Sequence, residues 1–305
     1  MKILVLKPTR PNFTERLIKY FFDNFRDFLQ QNSCSLIIEK IISKNDNMKY
    51  WKSDNIDTLK KNFNEKYSDL DYILLFQYTS YYKEILDDLR KFKIIFINTE
   101  QSTNTKNKRL FDNFRYLNDH GKYIFIDYNQ ENYTNFEKYI DHQNYLTLEP
   151  YLHNFRDNYE KTIDIGIYNR QSKHDNEFVK KFIPNIYPKC QNMLGKFNKD
   201  RLNFIGKCKI FINIHAQENY KICETHRVNE LVASRCIVIS QKCLNEELVG
   251  LGDYILFAEN NKIEEITLDV LNNYDRYYEK IFAKKTNNDI FEKIGKKYVT
   301  FIKIL

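Results

Sequence analysis

The sequence predicts an α/β protein made of two doubly wound, Rossmann-like domains facing a cleft. Three observations predict it. Runs of four or five consecutive apolar residues recur along the chain, the pattern of parallel strands covered on both faces. Segments with apolar residues at helical spacing separate them. The alternation is played out twice in 305 residues, a length of about two domains, with Pro150 between the halves.

The elements follow in order. Residues 3–6 form a first strand, and 13–29 a helix on which Leu17, Ile18, Phe21, Phe22, Phe25, Phe28 and Leu29 recur at helical intervals. Strands are expected at 36–38, 72–76, 94–97 and 123–126, with helical segments at 81–90, 108–117 and 131–140. Residues 145–152 (YLTLEPYL) read as the connection, because proline stops a helix and favours extended chain before it. Strands at 163–168, 209–214, 236–240 and 254–257 and helices at 175–182 and 225–234 make the second alternation, and the chain reads as helical from 263 on. The domains are 1–148, 149–285, and a final helical segment, 286–305, placed to pack back on the first.

Composition narrows the function. No stretch approaches the roughly 18 uncharged apolar residues of a spanning helix. The apolar start is too short for a secretory signal, so a cytoplasmic protein is expected, with peripheral membrane association open. The six cysteines form no C-x-x-C pair and read as reduced thiols, and no Cys/His cluster has zinc spacing. Only 7 Gly and 5 Pro stand against abundant Asn, Lys, Ile, Tyr and Phe. That bias follows A/T-rich codons and suggests a parasite, a low-GC bacterium or a giant DNA virus. Codon bias accounts for much of the lysine, so the net charge of +7 is poor support for a nucleic-acid partner, and none is expected.

The chemistry concentrates at 209–244. This stretch reads strand, polar loop, helix, strand, and the loop 215–224 runs straight into the helix. A helix N-terminus exposes unpaired N–H groups and about half a positive charge, which suits phosphate or carboxylate. Thr225 is a candidate N-cap. Arg227 in the first turn opposes the helix dipole unless an anion is bound there. Glu230 follows one turn later, and in the alternative, purely structural reading Arg227 pairs with Glu224 or Glu230 on the helix surface.

Here the sequence resembles nucleotide-sugar glycosyltransferases of the GT-B fold, above all their group-1-like C-terminal domain. The resemblance rests on Asn213-Ile214-His215, on Arg227-x-x-Glu230-Leu231-Val232-Ala233-Ser234 and on Val238-Ile239-Ser240. It implies that Glu230 binds the donor ribose and that Arg227, with nearby amides, faces the diphosphate. Thr225, His226, His215 and Glu224 join it as donor-side candidates, as do Arg170, Lys173 and Lys196 as cations for the leaving group. Many such enzymes carry an earlier glutamate where this chain has Ile222. The reaction so implied moves a sugar from a UDP-, GDP- or dTDP-linked donor to a glycan, protein or lipid acceptor, with no metal and no cofactor beyond the donor. Helix N-termini and Lys/Arg would stabilise the leaving diphosphate. An acceptor-side base is expected in the first domain: Glu100 after a strand, or Asp119 and His120 before Gly121. A non-catalytic sugar-nucleotide or glycan binder is the alternative, and a homodimer is left open. Asp69-Leu70-Asp71 matches D-x-D but precedes a strand, so it reads as a turn, and G-x-G-x-x-G and P-loop patterns are absent.

Overall fold

The computed structural model describes residues 2–8, 35–41, 53–76, 82, 85–98, 108–148, 155–196, 198–215, 220–244, 246 and 251–283. The chain divides into two compact units, Met1–Leu148 and Glu149–Leu305. The expected helix at 13–29 and the segment 286–305 lie outside the described residues.

Unit 1 carries β1 (Lys2–Pro8), β2 (Ser35–Ile41), α1 (Ser53–Glu65), β3 (Tyr72–Phe76), β4 (Lys93–Ile97), α2 (Lys108–His120), β5 (Tyr123–Asp127), the single turn α3 (Tyr133–Phe136) and β6 (Tyr145–Thr147). Its six strands are ordered β2-β1-β3-β4-β5-β6, all parallel. The chain winds one way from β1 and the other way from β3, a doubly wound sheet with its switch point between those strands. Aromatic residues fill its core, with the Phe114 and Phe136 rings 4.9 Å apart.

Unit 2 repeats the plan: β7 (Ile163–Ile167), α4 (Lys173–Phe182), β8 (Cys190–Asn192), α5 (Asn198–Lys207), β9 (Cys208–Asn213), α6 (Thr225–Ala233), β10 (Ile237–Gln241), β11 (Ile255–Ala258), α7 (Ile263–Asn272) and α8 (Tyr274–Tyr278), followed by a π turn at Glu279–Ala283. The order is β11-β10-β9-β7-β8, again all parallel, with the switch point between β7 and β9. Gly166 lets these strands pack closely. A Cβ there would lie 2.6 Å from Cys208 Sγ and 2.7 Å from Phe211 Cδ2.

The elements depart from the sequence expectation in several places, and α1 at Ser53–Glu65 is a helix it did not contain. Residues 81–90 do not build an α-helix where described. Backbone bonds there span three residues (Ile85 N to Tyr82 O, 2.9 Å), and a 3-10 turn covers Asp88–Lys91. Tyr82 anchors the segment: its buried hydroxyl donates to Leu6 O at 3.1 Å and accepts from Phe76 N at 3.0 Å. The helix expected at 131–140 shortens to a 3-10 turn and α3. Residues 145–147 form the sixth strand of the sheet rather than a connection. Unit 2 gains β8 and α5, which sequence periodicity did not disclose.

Candidate functional site

In an open parallel sheet, ligands bind beyond the C-terminal strand ends at the switch point. In unit 2 that point lies past Ile167 and Asn213, and the head of α6 meets it. Glu224 is the N-cap of α6 and makes no side-chain cap bond, so Thr225 is the first helical residue rather than the cap. Thr225 is buried, and its Oγ1 has no hydrogen-bond partner.

Arg227 spans the switch point. Its guanidinium pairs with Glu224, donates from Nη1 to Ile214 O at 3.2 Å, and lies 5.7 Å from the Tyr168 ring centre. It thus links α6 to the residues that follow both β9 and β7. The Glu224 carboxylate already offsets its positive charge. Next to it, His215 N donates to Gln241 Oε1 at 2.5 Å, and its Nε2 lies 3.1 Å from Lys242 O. His215 Nδ1 is buried without a partner. Burial lowers the pKa of this ring, with Arg227 and Lys221 adding to the effect, against the pull of the Lys242 carbonyl and Glu224.

Glu230, expected to face the donor ribose, is only 1% exposed and accepts from Arg201 Nε on α5 at 2.7 Å. The exposed-helix reading of Glu230 and its pairing with Arg227 are both replaced by this buried ion pair. Any ribose contact has to share the carboxylate with Arg201. Sequence reading missed Arg201 because its partner is 29 positions away and its helix was not recognised. Ile222 is fully buried, so an apolar core residue stands where related patterns place the earlier glutamate.

Of the remaining donor-side candidates, three have neighbours of their own. Arg170 leans on Asp175, its N donating to Asp175 Oδ2 at 2.8 Å. Lys173 is a solvated first-turn lysine 3.8 Å from Glu177. Lys196 sits over the Phe204 ring at 5.3 Å. His226 occupies α6, but its side chain is outside the described residues.

In unit 1, Glu100 also lies outside the described residues. Asp119 and His120 are at the wrong edge of the sheet. They end α2, the crossover that carries the chain from the C-terminal end of β4 back to the N-terminal end of β5. His120 Nε2 bonds Phe92 O, just before β4, at 2.8 Å. They therefore form the helix terminus that Gly121, at φ 75°, closes.

The C-terminal edge instead presents Asp127, which sequence reading passed over although it ends the apolar run 123–126. Its carboxylate is fully buried and accepts from Asn98 Nδ2 at 2.8 Å and Asn132 Nδ2 at 2.7 Å. Burial outweighs these donors and pushes its pKa up to about 7. A raised folded-state value destabilises the native state as the group ionises. Stability from this group is full below the unfolded value near 3.8 and is lost as pH rises through about 7. Thermal melts from pH 5 to pH 8 should therefore fall more steeply for the wild type than for Asp127→Asn, by on the order of 2–4 kcal/mol across the range. Parallel profiles would remove Asp127 as the source.

Among the described residues no group of three or more His, Cys, Asp or Glu side chains is arranged to hold a metal ion, and no helix is long and apolar enough to cross a membrane.

The two doubly wound units share the strand order 2-1-3-4-5, to which unit 1 adds a sixth strand. Solved structures of similar fold include the UDP-GlcNAc 2-epimerase of Neisseria meningitidis bound to UDP-GlcNAc (TM-score 0.54, 12% identity, 100% of this chain and 99% of that chain). They also include the DNA-modifying β-glucosyltransferase solved with and without uridine diphosphoglucose (TM-score 0.54, 14% identity, 100% and 99%). This chain has the GT-B fold. The GT-B likeness at such identities speaks for architecture alone. No family model matches the sequence. Two uncharacterized proteins of Acanthamoeba polyphaga mimivirus are related to it. One is 29% identical over 164 residues, 52% of this chain and 56% of that protein. The other is 26% identical over 206 residues, 65% of each. The chain thus spans between about half and two thirds of the length of the curated relatives it matches, and their source is consistent with the giant-virus origin expected from its composition.

Proposed function

We propose that this GT-B chain binds a nucleotide-diphosphate sugar at the head of α6 and transfers the sugar to a glycan, protein or lipid acceptor without a metal ion. One observation carries the reading. The N-terminus of a nine-residue helix meets the switch point of unit 2 with a buried, unpartnered hydroxyl, Thr225 Oγ1, in its first turn. The dipole of that helix, positive at this end, suits a diphosphate. Arg227 supplies the charge once phosphate takes the place of Glu224 beside it. The same contacts stabilise the diphosphate as it leaves. The fold likeness to enzymes solved with UDP-sugars supports the choice of ligand.

Thermal stabilisation tests binding directly. A UDP-, GDP- or dTDP-sugar at about 100 times its dissociation constant should add roughly 2.7 kcal/mol. Lack of stabilisation by every member of such a panel at millimolar concentration rejects the reading. Glu224 competes with the anion for Arg227, so Glu224→Gln should tighten nucleotide-sugar binding roughly three- to tenfold, measured by calorimetric titration.

A non-catalytic binder is the second reading, favoured by the burial of Ile222 and by the position of Asp119 and His120 at the opposite sheet edge. Glu100, three positions past the end of β4, remains the base proposed for transfer. Release of nucleoside diphosphate in the presence of candidate acceptors, abolished by Glu100→Gln, distinguishes enzyme from binder.

A further inference from the structure

The unpartnered polar atoms near the head of α6 differ in chemistry, and His215 is the most informative. A carbonyl oxygen only accepts, so the 3.1 Å contact to Lys242 O places the ring proton on Nε2. Burial keeps the ring neutral. Nδ1 is therefore a bare lone pair, on a residue only 4% exposed, with no donor among the described residues. An unmet buried acceptor destabilises the protein until a donor reaches it. The ring cannot turn to relieve it without losing Lys242 O, and the backbone N–H is held separately by Gln241 Oε1. A phosphate cannot satisfy this lone pair, because an oxyanion has no hydrogen to give. A hydroxyl can. The first turn of α6 close by, with Glu224 and Arg227 both acting on the ring electrostatically, has the opposite preference. The positive end of its dipole and the Arg227 guanidinium call for an anion. Donor-seeking and acceptor-seeking groups side by side describe a ligand whose anionic part adjoins a hydroxylated part.

We propose that His215 Nδ1 accepts a hydrogen bond from a hydroxyl of the sugar moiety, making His215 the residue that separates a glycosylated nucleotide from the bare nucleoside diphosphate. This rests on the sugar-nucleotide reading above. Two substitutions divide the functions of the ring. In His215→Gln the amide nitrogen can still reach Lys242 O, while the Nδ1 acceptor is gone. In His215→Asn the amide oxygen takes the place of Nδ1, while the Lys242 tie is lost.

The experiment titrates wild type and both variants with UDP-glucose, GDP-mannose and dTDP-glucose, each beside UDP, GDP or dTDP alone. For the sugar nucleotide that wild type binds, His215→Gln should lose roughly three- to tenfold in affinity, with binding of the matching nucleoside diphosphate changed less than twofold. His215→Asn should retain most of the sugar-dependent gain. Equal losses for sugar nucleotide and nucleoside diphosphate overturn the proposal, since they assign the hydroxyl to ribose or the effect to folding. Unchanged affinities in His215→Gln overturn it as well. Failure of the wild type to bind any of the six compounds is a different result and sinks the sugar-nucleotide reading itself.

Discussion

Glu230→Ala should destabilise unit 2 by about 3–5 kcal/mol, because it leaves the Arg201 guanidinium buried without its carboxylate. Arg201 is 6% exposed, so water cannot replace the lost partner. For a unit of this size, that loss lowers the melting temperature by roughly 6–20 °C. Urea or thermal melts measure it. The double variant Arg201→Met/Glu230→Leu is the control. It leaves no stranded charge, and a buried pair is often replaced by apolar residues at little cost, so most of the stability should return. A Glu230→Ala protein within about 1 kcal/mol of wild type contradicts the buried pair. The resemblance alone led to another expectation, a loss of donor binding with the fold intact. The ion pair makes those two effects inseparable in Glu230→Ala, and only the double variant separates them.

Arg227→Ala should weaken nucleotide-sugar binding by roughly 10- to 100-fold and cost about 1–3 kcal/mol of stability, because it strands the largely buried Glu224 carboxylate. The two effects have different origins. In the free protein Arg227 is mostly buried, yet it is neutralised by Glu224 within the same turn and contributes little net charge. With a diphosphate at the head of α6 it is the cation nearest the helix N–H groups in the proposed site. Its removal deletes a charge-assisted contact and leaves the Glu224 carboxylate facing the ligand. Arg227→Lys should recover only part of the affinity, since an ammonium cannot reproduce the guanidinium contacts to Ile214 O and the Tyr168 ring. Adding Glu224→Gln to Arg227→Ala should restore part of the binding by removing the repulsion. Calorimetry on the four proteins decides it. Affinity unchanged in Arg227→Ala removes the residue from the site.

The architecture was legible in the sequence wherever a strand is buried on both faces. Residues 72–76, 94–97 and 123–126 are continuous apolar runs, and each became an interior strand of the first sheet, β3, β4 and β5. The α6 segment and its place between β9 and β10 were legible for the same local reason. The edge strands β6 and β8 were not. β8 is Cys190-Gln191-Asn192, none of it fully buried, and a strand open on one side needs no apolar run. α5 carries little amphipathic signal because its charged Arg201 points inward.

Local pattern thus determined two parallel α/β units and a polar turn entering a helix at the switch point of the second, since strand burial and helical periodicity are properties of neighbouring residues. Tertiary structure alone decided which charges meet. It buried Glu230 against Arg201, turned Arg227 toward Glu224 and the ends of β7 and β9, left His215 Nδ1 and Thr225 Oγ1 without partners, and sent Asp119 and His120 to the far edge of their sheet. Those outcomes depend on separations of up to tens of residues along the chain and on the direction of each crossover, which no short window of sequence contains.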